Sequence, residues 1–259
     1  MKRMTPFTGQ LLAVLVAIVA ALPITTFAQP GEIDPDAIQL LKRMTDYLAG
    51  LKQFRATADT TIEAVLPSGQ KLQFGNRVSL TVQRPNKMRA DRVGDLVNQT
   101  FYYDGKTLSM NLPDQKYYAT VAAPPTLEAM LDFARDKLDI IAPGSDLIYK
   151  NAFERFNEAL TSAFVVGKAV VDGVRCDQIA FRNPEVDWQI WIQEGDKPLP
   201  RKFIVTSKKV PESPQFAVVL SKWDTAPKFT DAMFNFTPPK GARRIEFVPA
   251  AMVGAAAKK

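Results

Sequence analysis

The chain has no histidine and one cysteine, Cys176, so Ser-His-Asp and Cys-His nucleophile arrangements and the commonest metal ligand are missing. With nothing to activate it, Cys176 reads as a small apolar side chain within the alternating segment VRCDQIAF. Gly105-Lys106-Thr107 resembles the end of a phosphate loop, but Thr100 stands where the earlier glycine is required, and a hairpin turn explains the tripeptide better. Glu128, Asp132 and Asp136 follow at four-residue spacing on one helix face. Interleaved with Arg135 and Lys137, they read as a solvated outer face rather than an acid-base pair. Trp188 and Trp191 are three apart in DWQIWIQ and point to opposite faces of a strand; which of them is buried and which lines a cavity stays open. This inventory predicts no enzyme, no metal and no cofactor, and leaves binding as the function to be explained.

What would position a binding surface is a run of short strands with few helices. Asp34-Pro35 opens a helix whose apolar positions are Ile38, Leu41, Met44, Tyr47, Leu48 and Leu51, with Gly50 as its stop. From Phe54 the period changes. Leu72, Phe74, Val78, Leu80 and Val82 share one parity against Lys71, Gln73, Arg77, Ser79 and Thr81, as expected of a half-buried antiparallel strand. Further strands are predicted over 87–93, 96–103 and 106–112, with Asp104-Gly105 supplying two positive φ angles for a hairpin. Pro124-Pro125-Thr126 ends this series. A second helix follows through Leu127, Met130, Leu131, Ala134 and Leu138, and a third helical stretch is predicted over 147–160. Strands resume at Ser162, turn at Asp172-Gly173, and continue over 174–181, 187–193, 201–207 and 215–224.

This order predicts an α+β fold, a large curved antiparallel sheet covered by a few helices, in one domain over 29–259 with a helical insertion at about 125–160. A sheet of this size must cover its apolar face, and the helices are too few to fill it. Periodicity alone leaves two outcomes open: an ordinary packed core, or a hollow that a ligand completes.

The first 28 residues read as a cleavable signal peptide. Lys2 and Arg3 precede the apolar run Leu11–Leu22, and Thr26 and Ala28 meet the small-residue rule, so cleavage is expected after Ala28. The apolar run is 12 residues, short of the roughly 20 a spanning helix needs, and no cysteine follows it for lipidation. The expectation is a soluble periplasmic protein, not an integral membrane protein. The formal charge of +6 is spread along the chain, without a basic stripe interleaved with aromatics, so no nucleic-acid partner is expected.

Three segments carry a resemblance. VQRPNKMR (82–89), YDGKTLSMNLPDQKYYAT (103–120) and FNFTPPKGA (234–242) are together similar to motifs of the periplasmic lipoprotein carrier and receptor family, LolA and LolB. The chain looks like a member of a predicted periplasmic family sharing that fold. The resemblance implies an unclosed half-barrel with a helical lid around an apolar cavity that accepts acyl chains. It implies a lid-closing role for Arg84, the arginine of the Arg-Pro-Asn motif. It also implies a lipid or acylated protein as partner, with inner- and outer-membrane proteins as donor and acceptor. Cavity-lining candidates, chosen on apolar parity or face, are Leu72, Phe74, Leu80, Val82, Phe101, Tyr103, Leu108, Met110, Met130, Phe133, Ile190, Ile192, Phe203 and Val205. The competing expectation is a protein-interaction or envelope-stress sensory module on the same fold, with a filled interior.

Overall fold

The computed structural model describes residues 31–247. The expected signal peptide and its cleavage point lie outside the described residues.

Asp34 caps the first helix, α1 (Pro35–Gly50): its side chain accepts the amide of Asp36, and Pro35 sits where no helical donor is needed. Ala37, Leu41, Met44 and Leu48 form the buried stripe, with Tyr47 and Leu51 beside it. Each of the fully buried leucine and methionine side chains contributes about 1.5–3 kcal/mol.

Six strands follow: β1 (Gln53–Val65), β2 (Lys71–Gln83), β3 (Lys87–Gly94), β4 (Gln99–Tyr103), β5 (Thr107–Leu112) and β6 (Tyr117–Ala122). Next come α2 (Leu127–Leu138), a 3-10 turn at Ser145–Ile148 and the short α3 (Ala152–Asn157). The chain continues through β7 (Ser162–Val171), β8 (Val174–Arg182), β9 (Val186–Gln193), β10 (Pro200–Ser207), β11 (Gln215–Asp224) and the two-residue β12 (Arg243–Arg244).

All twelve strands join one sheet in the order β12-β6-β5-β4-β3-β2-β1-β11-β10-β9-β8-β7. Among the described residues every strand-to-strand pairing is antiparallel except β12 with β6, and the sheet ends at β12 and β7, the latter touched only by a parallel bridge from Ile33 to Ala163, so it is an unclosed half-barrel. The helices pack on its concave face in two adjoining cores. One joins α1 to β8–β11 through Leu41, Met44, Ile179, Ile190 and Val218; the other joins α2 to β2–β5 through Val82, Met88, Tyr103, Leu108 and Met130. Leu51, Phe156 and Trp223 pack against both.

Two local expectations are corrected. The stretch over 147–160 is not one helix, because the chain turns extended at Tyr149 (ψ 141°) between the 3-10 turn and α3. The Ile148 carbonyl that a continuous helix would use internally accepts instead from Arg84, at 2.6 Å. At Asp104-Gly105 only the glycine has positive φ (+92°). Asp104 stays out of the left-handed region and accepts the amides of Lys106 and Thr107, each at 2.8 Å, closing the turn through its side chain. Asp172 and Gly173 do both take positive φ, 47° and 77°, as a two-residue hairpin requires.

Candidate functional site: a cleft on the concave face

Strand register sets the concave face in cross-strand rows. One row runs Phe74, Ile62, Phe216, Val205, Trp188 and Phe181 across six neighbouring strands from β2 to β8. It lies at the end of the sheet where the turns after β1, β8 and β10 gather, and its four central members, Ile62, Phe216, Val205 and Trp188, floor a cleft of about 610 Å³. Phe156 of α3 roofs the cleft, its ring 5.2 Å from Trp188 and 5.9 Å from Phe203. Trp188 is stacked on Phe181 at 3.9 Å. Such aromatic pairs add about 0.5–1.5 kcal/mol each and fix the floor's shape.

The rim is polar, with Glu63, Asp146, Arg155, Glu158, Asn183, Ser207 and Gln215 around the opening. Arg155 pairs with Asp146 at 3.0 Å and lies over the Tyr149 ring at 4.0 Å. Glu63 accepts the Gln215 amide, which is the main cause holding its carboxyl below the ordinary value. A smaller hollow of about 230 Å³ lies beside α1 and is lined by Lys168, Asp177 and Glu194, the lysine bridging the two carboxylates at 2.6–2.7 Å.

The twelve strand residues selected by parity share the concave face, but the fold distributes them. Phe203 and Val205 line the large cleft, and Ile192 lines the smaller hollow. Ile190 is in the core under α1. Val82, Tyr103, Leu108 and Met130 are in the core under α2, with Leu80 and Phe101 partly buried against it. Met110 is half-buried in the row with Phe101, Phe74 is half-buried at the sheet end, and Phe133 is half-buried on α2. Leu72 is exposed. Ile62, Phe156 and Phe216 were missed. Strand parity marks Ile62 and Phe216, but single-strand periodicity does not say which row a helix leaves open.

The tryptophans separate as expected, Trp188 to the concave face and Trp191 to a small convex cluster with Val171 and Cys176. Both are nearly buried. Burial also pushes the Cys176 thiol above its ordinary value.

The cover over the concave face is tied to the sheet at Arg84, in the turn between β2 and β3. Its side chain is only 5% exposed. One guanidinium nitrogen donates to the Ile148 carbonyl at 2.6 Å, and another to Glu128 in the first turn of α2 at 3.3 Å. Burial lowers the Arg84 pKa, with the Glu128 charge opposing that. Glu128 therefore leaves the solvated face read from the sequence, while Asp132 and Asp136 remain on it with Arg135. The Pro85 carbonyl accepts the Leu127 amide at 2.9 Å, and Tyr103 donates to Pro124 at 2.6 Å, so the start of α2 is held at three points.

Among the described residues, no cluster of His, Cys, Asp and Glu could hold a metal ion, and no helix is long and apolar enough to cross a membrane. A family model described as "Predicted periplasmic protein (DUF2092)" matches residues 37–248. No curated protein gives a significant match. Among solved structures the chain is similar to LprF from Mycobacterium bovis, with 16% identity over 82% of this chain and 100% of that one (TM-score 0.47). It is similar to the lipoprotein LppX of Mycobacterium tuberculosis, with 14% identity over 76% and 98% (TM-score 0.41). A LolA superfamily protein from Nitrosomonas europaea shows 9% identity over 77% and 97% (TM-score 0.40).

Proposed function

This chain belongs to the DUF2092 family of predicted periplasmic proteins, and from that premise we propose that it is a periplasmic carrier, holding a lipid or acylated cargo on the concave face of its half-barrel. The observation that carries the reading is the cleft of about 610 Å³ with its row of apolar and aromatic side chains as floor. Its volume falls within the roughly 300–1,000 Å³ of ligand-binding clefts, and its chemistry, apolar within and polar at the rim, suits an acyl chain. Burial would stabilise such a chain by about 0.8 kcal/mol per CH₂.

In this proposal the first 28 residues direct export and are removed after Ala28, leaving a body that diffuses between membranes. Arg84 serves as a latch: it bridges the β2–β3 turn to α2 and to the 3-10 turn, the two covers over that half of the concave face. Cargo leaves when those bonds part. The function needs no catalytic step and no cofactor, only an apolar surface that water leaves on loading.

The test is to express the protein with its leader, purify it from the periplasm without detergent and look for bound lipid by native mass spectrometry. A mass shift matching a lipid, and uptake of a fluorescent acyl probe by the delipidated protein, are expected. Apoprotein in repeated preparations, with no probe uptake, would sink the carrier reading.

A further inference from the structure

The arginines of the concave face differ in what they face. Arg84 has acceptors for both terminal nitrogens, and only its Nε is buried without a partner. The side chain of Arg92, on β3, forms no hydrogen bond or ion pair with any described residue, and its Nε is buried without a partner. A buried donor without an acceptor costs about 1–3 kcal/mol, more when charged, and calls for a group that the protein itself does not supply.

Register places Arg92 on the concave face, opposite Val78 of β2 and Gln99 of β4. Val78 is four residues deeper along β2 than Phe74, the cross-strand neighbour of Ile62 in the cleft floor, about 13 Å at strand spacing. The next row inward is apolar, with Leu80, Ala90, Phe101 and Met110 in cross-strand register and all half-exposed. The acids nearest in sequence are committed elsewhere. Asp91 is bound to Arg89 at 2.8 Å, on the opposite parity, and Asp95 accepts the Gly75 amide at 2.7 Å. The result is a cation without a charged partner among the described residues, beside an apolar row of the concave face.

We infer that Arg92 is the head-group subsite of the cargo, receiving an anionic carboxylate or phosphate while the attached acyl chain lies over the Leu80–Ala90–Phe101–Met110 row. This rests on the carrier reading, extends the cargo surface along the concave face beyond the cleft to this row, and narrows the cargo to acyl anions. A guanidinium presents paired N–H donors that match the oxygens of either head group. A neutral head of the same chain length leaves the Nε without an acceptor.

Equilibrium binding of hexadecanoate, hexadecyl phosphate and hexadecanol, by displacement of a fluorescent acyl probe, tests this in the delipidated wild-type protein and in Arg92→Gln and Arg92→Lys. In the wild type both anions are expected to bind at least tenfold more tightly than the alcohol. In Arg92→Gln that ratio falls to about one, with hexadecanol affinity unchanged and the thermal midpoint of the delipidated protein not lowered; Arg92→Lys keeps part of it. Equal binding of acid and alcohol by the wild type, or a preference that survives in Arg92→Gln, overturns the inference and leaves the carrier reading standing. Failure of every amphiphile, hexadecanol included, to displace the probe removes the carrier reading itself. Inorganic phosphate alone is the remaining arm: tight binding to the wild type that Arg92→Gln abolishes would assign the site to a free anion and overturn the acyl-head assignment.

Discussion

Replacing Arg84 by methionine keeps most of the side-chain volume and removes both bonds to the cover. The hydrogen bond to the Ile148 carbonyl, at 2.6 Å from a charged donor, falls in the class contributing about 1.5–3 kcal/mol. The Glu128 contact is longer, at 3.3 Å, and Glu128 is 27% exposed, so water takes over much of what it loses. Removing a charge from a site only 5% exposed also relieves a desolvation cost of several kcal/mol, so global stability should move little. The opening of the cover should be favoured by about 1.5–3 kcal/mol, which is roughly ten- to a hundredfold in its equilibrium. Stopped-flow transfer of a bound fluorescent acyl probe to acceptor vesicles, with thermal melting alongside, reads both quantities. The expected result is release faster by at least tenfold with a midpoint shifted by only a few degrees. Arg84→Lys, which keeps the charge without the planar fork, should lie between. Unaltered release from Arg84→Met, or an acceleration no greater than its loss of global stability accounts for, refutes the latch.

Val205→Asp places a carboxylate on the half-buried cleft floor, and titration with the acyl probe should show binding weakened by more than tenfold. Tyr103 and Tyr149 are both pushed up to about 12, in each case chiefly by burial, with the Asp132 carboxylate adding to the effect at Tyr149. A phenol whose pKa is raised in the folded state stabilises it below the unfolded value of about 10, and that contribution disappears as pH climbs from there towards 12. Denaturant midpoints should therefore fall across that window, and the fall should flatten in the Tyr103→Phe and Tyr149→Phe double variant. Cys176 is fully buried and its thiol is pushed upward by that burial, so it should react with a thiol reagent at pH 8 only after unfolding. Rapid reaction of the folded protein would show that the convex cluster opens.

The sheet was legible because its two faces differ chemically. Even-numbered residues of β2 read as one face from composition alone, and register carries that face across to Met88 and Ala90 of β3 and to Tyr103 and Phe101 of β4. The α1 stripe was legible because capping and spacing agree. What escaped is set by partners distant in the chain. The break at Tyr149 depends on an arginine in the turn before β3, and Glu128 leaves its solvated face for the same guanidinium. Periodicity sees neither. It likewise assigns Ile190 and Val205 to the same face without distinguishing the one under α1 from the one at the open cleft. Arg92 was unremarkable in the sequence because an arginine on an inward parity becomes unusual only once its neighbours are known.

The pairing of β1 with β11 joins Arg55 to Asp224 and Ile62 to Phe216. Every other antiparallel pair in the sheet, apart from this seam, joins strands consecutive in sequence, so each flank can zip locally through hairpins while the centre waits for nearly the whole chain. The cleft floor crosses that seam. A chain emerging from its N-terminus therefore has no binding surface until its last long strand arrives, and until then the β1 edge is unpaired and open to misassembly. Assembly of the site in this way waits on β11, and a chain cut short before that strand loses the site along with its central seam.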